Sequence, residues 1–271
     1  MRVPPSPALR ERVGVRVSKG AYMSKLIIPK VIGHRGAKAY APENTLASIH
    51  AAADLGIEWV EIDVKLTKDS MPIIFHDDEL NRTTSGSGLV AETDFKTIEE
   101  LDAGLWFGDS FLGEKIPTLE NALNVIIDRN LGVNLEIKPC PGREKETAEV
   151  MLDFATRIWP DDVPPPLISS FSHVSLESAM DVMPEWPRGL LIDEYIPEWK
   201  ELAAHLDAHT ININGNTVTR DQMNGYLDYG RPILAYTIND PEKAKLLLNW
   251  GVSGVFSDCP DVIRDEVESI H

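Results

Sequence analysis

Trp59-Val60-Glu61-Ile62-Asp63-Val64 is an apolar run with two acids set two residues apart. Side chains alternate between the faces of a strand, so Glu61 and Asp63 project the same way. Two carboxylates on one otherwise buriable face repel each other unless positive charge lies between them. A bound divalent cation meets that need, since hard cations take oxygen ligands. So does a lysine or arginine from elsewhere in the chain, because buried acids are usually paired.

Upstream of this run, Val31-Ile32 leads into Gly33-His34-Arg35-Gly36. Asn44 or Thr45 can then cap a helix over 46–55, with Gly56 as its stop. Downstream, the strand over 59–66 is followed by a turn at Lys68-Asp69-Ser70. A second extended run, Pro72 to Phe75, ends at His76-Asp77. That connection is too short for a crossover helix, which leaves a hairpin or an extended return. Residues 78–117 read as a small polar, glycine-dotted insertion after this third strand, helical over 97–101. Its Trp106-Phe107 pair reads more readily as local core than as a lid.

A helix over 119–130 follows, and Val133 to Lys138 alternates strictly, placing Glu136 and Lys138 on one face. After a helix over 143–159, strand-like runs recur at 167–171, 189–193, 210–214, 232–237 and 254–258, mostly with helical segments between them. This alternation predicts an α/β fold with a parallel sheet closed into a (β/α)8 TIM-type barrel. Nine strand-like runs are one more than such a barrel needs, and the short 59–76 connection is the expected irregularity. An open doubly wound sheet is the alternative. It would usually carry a glycine-rich nucleotide turn after its first strand, which Gly33-His34-Arg35-Gly36 is not.

Length and composition fit this outline. At 271 residues the chain suits one large barrel domain, taken here as 26–271. No apolar run is long enough to span a bilayer, and two cysteines make no disulfide framework. A formal charge of −17 argues against nucleic acid and against stable membrane association. It also means that an anionic substrate needs local cations at its site. Residues 1–25 differ, with six basic residues, one acid and prolines at 4, 5 and 7. They read as a disordered basic extension rather than a targeting signal, because no apolar segment of signal-peptide length is present.

Barrel enzymes carry their chemistry at the carboxyl ends of the strands. The polar residues expected there are His34 and Arg35, Glu61 and Asp63, His76, Glu136 and Lys138. Three carboxylates suit Mg²⁺ or Ca²⁺ better than Zn²⁺. Two histidines suit general acid and base work near neutral pH, and arginine and lysine clamp phosphate oxygens. Together these groups describe phosphodiester cleavage.

In order and approximate spacing, His34-Arg35-Gly36, Pro42-Glu43-Asn44-Thr45, Glu61-x-Asp63, His76-Asp77 and Glu136-Ile137-Lys138 resemble the glycerophosphodiester phosphodiesterase family. The likeness runs from about 31 to 263 and takes in Tyr236-Thr237-Ile238-Asn239 and Phe256-Ser257-Asp258-x-Pro260. It is strongest to the bacterial cytoplasmic branch. The resemblance implies a barrel of the phospholipase C-like type and metal-dependent hydrolysis of deacylated phospholipids to sn-glycerol 3-phosphate and an alcohol. It implies Glu61, Asp63 and Glu136 as ligands of Mg²⁺ or Ca²⁺, His34 as general base and His76 as general acid. Arg35 and Lys138 match phosphate-holding positions. The chain departs from many relatives at Tyr236, where tryptophan is frequent, and at Ser257, where threonine is common; both bear on the alcohol pocket. Pro42-Glu43-Asn44-Thr45 serves equally as a helix-opening motif and as a source of a site carboxylate. Two other functions are weighed against this one: a lysophospholipase D- or sphingomyelinase-like lipid phosphodiesterase, and a non-catalytic phosphate- or metal-binding barrel. The first needs an apolar approach surface for acyl chains, and the second has no use for a histidine pair.

Overall fold

The structure is a computed structural model that describes residues 26–268; the basic extension expected over 1–25 lies outside the described residues. The chain runs β1 (Val31–Gly33), α1 (Leu46–Asp54), β2 (Trp59–Leu66), β3 (Pro72–Ile74), α2 (Phe95–Ile98), α3 (Leu119–Asp128) and β4 (Gly132–Ile137). Then come α4 (Glu144–Ile158), β5 (Leu167–Ser170), α5 (His173–Val182), β6 (Arg188–Ile192), α6 (Trp199–His205) and β7 (Thr210–Asn214). The last elements are α7 (Arg220–Leu227), β8 (Ile233–Tyr236), α8 (Pro241–Trp250), β9 (Gly254–Ser257) and α9 (Pro260–Glu268).

Strands β1, β2 and β4 to β9 form a parallel ring, closed where β1 pairs with both β2 and β9. The ninth strand, β3, stands outside the ring and pairs antiparallel with the far end of β2, Val64 opposite Ile74. The hairpin is thus the solution the chain adopts. Its turn is braced by Thr67, whose hydroxyl donates to Asp69 Oδ1 at 2.6 Å and accepts from the Met71 amide at 3.0 Å. Strand β2 is long enough to overrun the ring, and the return carries the chain back alongside it. The Phe75 amide donates to the Asp63 carbonyl at 3.0 Å, so His76 arrives beside the acid pair.

Period-two alternation sorts the strand side chains. Outward Val60, Ile62, Val64, Val133, Leu135 and Ile137 pack on Ile49, Leu123, Ile126, Met151 and Leu152 of the surrounding helices. A matching shell joins Leu190, Ile192, Ile211 and Ile213 to Trp199, Met223 and Leu247. Inward, Ile32, Leu167, Leu234 and Phe256 fill the barrel as an apolar plug. Each such side chain contributes about 1.5–3 kcal/mol when fully buried. Two residues further along the same strands, the inward positions become His34, Ser169, Tyr236 and Asp258. Buried Asn134 and Asn212 share the plug's layer, opposite Leu167 and Leu234, and the barrel turns more polar still at its carboxyl end.

The insertion has its own small core of Ile73, Phe75, Leu80, Val90, Ile98, Ala103, Ile116 and Cys140. Its helix lies at 95–98 rather than 97–101, because the Phe95 amide is tied to Asp69 Oδ1 at 2.9 Å and starts the turn early. Capping follows sequence elsewhere: Thr45, Thr118 and Thr219 each open a helix with a capping box.

Candidate active site

The tight turn after β1 does much of the positioning. Arg35 and Gly36 both have positive φ, at 51° and 83°. A side chain at Gly36 would collide with Ser48 of α1, so only glycine fits there. The turn aims the Arg35 amide at Glu61 Oε2, 3.0 Å away. It also leaves His34 paired across the β1–β9 seam, where its amide donates to the Ser257 carbonyl at 2.8 Å. Asp258, the next residue, meets His34 Nδ1 at 2.6 Å.

Pro42-Glu43-Asn44-Thr45 turns out to be a helix opening and part of the site together. Thr45 caps α1. Asn44, at φ 59°, donates from Nδ2 to Asp63 Oδ2 at 2.8 Å and accepts from the Asp63 amide at 3.2 Å. Asparagine is among the few residues that tolerate this backbone region. Glu43 is a counterion, not a member of the acid cluster: it accepts from Arg35 at 2.6 Å and from Arg82 at 2.7 and 2.9 Å.

Glu61, Asp63 and Glu136 are all buried and each offers an oxygen within 4.8 Å of the other two. The register explains this, since Asp63 lies opposite Glu136 across the β2–β4 ladder and Glu61 is two residues before Asp63. Lys138 donates to Glu136 Oε1 at 2.8 Å and sits 3.9 Å from Asp63; Arg35 Nε lies 3.3 Å from Asp63. Two cations thus face three carboxylates. Burial, with repulsion from Asp63 and Glu136, pushes the Glu61 carboxyl well above its ordinary range. Burial and the neighbouring Asp63 push Glu136 up to about 7. Burial opposes ionisation of Asp63 as well, but Arg35, Lys138 and the Asn44 hydrogen bond hold it below the usual carboxylate range. Glu61 Oε1 is buried without a hydrogen-bond partner. An all-oxygen donor set with surplus negative charge and an orphaned oxygen fits a hard divalent cation.

His76 Nδ1 lies 2.7 Å from Asp77 Oδ1, and Asp77 is in turn gripped by Arg82 at 2.6 and 2.9 Å. Ionised carboxylates only accept, so both histidines carry their proton on Nδ1 toward aspartate and keep Nε2 for the pocket. Hydrogen bonds from Arg82 and His76 keep Asp77 well below the ordinary range. Burial opposes the ionisation of Asp258, but the His34 hydrogen bond holds it at about 2. Burial lowers both imidazoles, against the pull of Asp258 on His34 and of Asp63 on His76.

Of the seven residues expected at the site, His34, Arg35, Glu61, His76, Glu136 and Lys138 line one pocket; Asp63 lies beneath them, 1% exposed. Opposite the acids the wall is Phe171, Leu191, Tyr236 and Phe256. Lys138 Nζ stands 5.2 Å over the Phe171 ring, and Phe171 meets Tyr236 edge-on at 5.7 Å. Ser257 does not face the pocket; its hydroxyl donates to Asn239 Oδ1 at 3.1 Å. Trp106 is 40% exposed and does not line the pocket; its ring meets Phe107 edge-on at 5.7 Å, and Phe107 meets Phe111 edge-on at 5.3 Å. The Trp106 indole N–H donates to the Ala103 carbonyl at 2.8 Å. Sequence reasoning gave no site role to Asn44, Arg82, Asn239 or Asp258. Position at the end of the last strand was the signal available for Asp258. Arg82, in an irregular loop, offered none.

Residues 34–262 match the Glycerophosphoryl diester phosphodiesterase family. A glycerophosphodiester phosphodiesterase of Caldanaerobacter subterraneus is 32% identical over 239 residues, covering 86% of this chain and 95% of that one. One from Bacillus subtilis is 30% identical over 256 residues, covering 86% and 84%. Among solved structures, an Oleispira antarctica phosphodiesterase in complex with the product sn-glycerol-3-phosphate superposes with a TM-score of 0.86 at 43% identity, covering 89% of this chain and 97% of that one. The matched span runs from the residue after β1 to the opening of α9 and takes in the other seven strands of the ring, and the chain belongs to the glycerophosphoryl diester phosphodiesterase family of hydrolases.

Proposed function

We propose that the chain hydrolyses glycerophosphodiesters to sn-glycerol 3-phosphate and an alcohol, using a divalent cation held by Glu61, Asp63 and Glu136. The observation that carries this reading is the buried three-acid cluster flanked by two histidines, each anchored at Nδ1 by an aspartate. When bound, Mg²⁺ or Ca²⁺ supplies Lewis-acid charge stabilisation at the phosphoryl oxygens and lowers the pKa of the attacking hydroxyl. Arg35 and Lys138 hold the phosphate. Hydrolysis forms a bond from phosphorus to the attacking oxygen and breaks the one to the alcohol oxygen. His34 Nε2 accepts the proton of the attacking hydroxyl, and His76 Nε2 gives a proton to the departing alkoxide. Both imidazoles shift the same way, so the roles rest on family resemblance rather than on proton affinity. The attacking oxygen belongs to water or to the glycerol 2-hydroxyl; a trapped cyclic phosphate selects the second route.

The product bound in the Oleispira antarctica structure supports this substrate class. No helix among the described residues is long and apolar enough to cross a membrane. Cys140 and Cys259 are both free, in keeping with a reducing compartment, and we place the enzyme in the cytoplasm. The deciding assay is release of glycerol 3-phosphate from glycerophosphoethanolamine by purified protein, with Mg²⁺ or Ca²⁺ and after exhaustive chelation. Cation-dependent release is expected. Undiminished release after chelation overturns the metal assignment, and activity only on lyso-lipid micelles overturns the substrate class.

A further inference from the structure

Arg82 belongs to the insertion, yet its guanidinium touches two carboxylates that stand behind the pocket, each holding a side chain that lines it. Its Nη1 and Nη2 donate to Glu43 Oε2 and Oε1 at 2.9 and 2.7 Å. Its Nε and Nη2 donate to Asp77 Oδ2 and Oδ1 at 2.6 and 2.9 Å. Each carboxylate has a second client. Glu43 Oε1 also accepts from Arg35 at 2.6 Å, and Asp77 Oδ1 also meets His76 Nδ1 at 2.7 Å. Arg82 is itself held on a rigid stem, since Leu80 and Thr83 on either side are buried and the Thr84 hydroxyl donates to the Leu80 carbonyl at 2.6 Å. Only a planar guanidinium can grip two carboxylates in this forked manner; an ammonium is a point charge.

We propose that Arg82 is a positioning residue: by bridging Glu43 and Asp77 it sets the orientation of His76 and of Arg35 together, and this is what the insertion contributes to the reaction. The inference rests on the reading of His76 as the proton donor. An imidazole that gives its proton to the leaving oxygen matters most when that oxygen is a poor leaving group. A loss through mere destabilisation would not distinguish leaving groups.

The test compares glycerophosphoethanolamine with the p-nitrophenyl ester of glycerol 3-phosphate, whose phenolate departs without a proton. His76→Ala should slow the first by about 10²–10⁴-fold and the second far less. Arg82→Ala should slow the first by about 10–100-fold, the scale of a misplaced catalytic group, and the second by less than about threefold. It should also raise KM for both esters through loosened Arg35. Arg82→Lys should resemble Arg82→Ala. Arg82 is 44% exposed at its side chain, so both variants should fold, as circular dichroism would check. If His76→Ala discriminates between the esters and Arg82→Ala does not, the positioning role is wrong while the His76 assignment stands. If Arg82→Lys restores full turnover, charge alone suffices and the bridge is overturned. If His76→Ala slows both esters equally, the proton-donor reading fails and this inference fails with it.

Discussion

His34 and His76 reach the same pocket through different constructions. His34 sits on the regular barrel, where closure of β1 onto β9 sets it beside Asp258, a residue 224 positions away. Asp258 is braced by the neutral amide of Asn239, which donates to Oδ2 at 2.8 Å and accepts from the Asp258 backbone amide at 2.8 Å. His76 sits on the irregular hairpin, its partner Asp77 is the next residue, and the brace is the cationic Arg82 from the insertion. The His34 side chain is 14% exposed and that of His76 28%. One histidine is thus held by the repeat, with a neutral second neighbour; the other is held by a departure from the repeat, with a charged one. Position within the barrel and chemistry at the phosphate are separable, and each arm can be broken on its own.

The largest effect is expected at the ring itself. His34→Ala should reduce turnover by about 10²–10⁴-fold while leaving cation affinity nearly intact, measured by titrating the variant with Mg²⁺ or Ca²⁺. Equal loss of both would make His34 a ligand instead. Asp258→Asn should come next. An amide in place of the carboxylate no longer enforces a proton on Nδ1, so Nε2 ceases to be reliably available as an acceptor. A fall in kcat of up to about 10²-fold with KM little changed is expected, on the scale seen when such orienting partners are removed. Unaltered kcat would show that the seam, and not the carboxylate, orients the ring.

Beneath both arms lies the acid cluster, which has a stability signature of its own. Glu136 has its folded-state pKa raised from 4.5 to about 7, by burial and by Asp63. A raised carboxyl pKa means the folded protein retains a proton that the unfolded chain has released. This contribution is fully present below about 4.5 and is lost as pH rises through about 7. Glu61 shifts in the same direction. Asp63, held low, acts oppositely but only in more acidic solution. The melting temperature of chelated protein should therefore fall across this window, and Mg²⁺ or Ca²⁺ at 100 times its Kd should restore about 2.7 kcal/mol. Glu61→Gln should flatten the curve of the chelated protein and raise its stability at neutral pH by on the order of 1–3 kcal/mol, by removing the cost of keeping a buried carboxyl protonated beside Asp63 and Glu136. A variant no more stable than the parent would mean that Arg35 and Lys138 already neutralise the cluster.

The barrel and its acids were legible because alternation carries both. Glu61, Asp63 and Glu136 are inward positions on β2 and β4, and period two reveals inward positions in any strand. His34 and Lys138 follow from strand ends. The hairpin was left open because a short connection excludes a crossover without specifying pairing. Asn44 and Asp258 stayed without roles for a different reason. Their contacts depend on a left-handed backbone at 44 and on ring closure at 258, and neither is a local pattern. Arg82 depends on how an irregular loop packs around Leu80, which no periodicity reports. Trp106 is more exposed than an aromatic pair suggests, because its neighbours on that loop are Phe107 and Phe111 and not the insertion's buried core.

The smallest effect, and the sharpest contrast between the arms, is expected from Asn239→Ala. Asn239 also accepts from the Ser257 hydroxyl, so its removal loosens Asp258 without touching the Asp258–His34 contact. A hydrogen bond to a charged carboxylate is worth about 1.5–3 kcal/mol net, but the Asp258–His34 contact itself survives, so only part of that reaches the rate, roughly 2–10-fold. With His34 as the proposed base at the attacking oxygen and not at the leaving one, the loss should be the same for glycerophosphoethanolamine and for the p-nitrophenyl ester. Asn239→Asp should be worse than Asn239→Ala. It leaves two carboxylates in contact, and one must then hold a proton or swing away from His34. Arg82→Ala instead removes the cation that Glu43 and Asp77 share, so that although each keeps its contact to Arg35 or His76, the broken bridge carries the larger, leaving-group-dependent loss. A leaving-group-dependent loss in Asn239→Ala would show that the two arms share a proton path and are not independent.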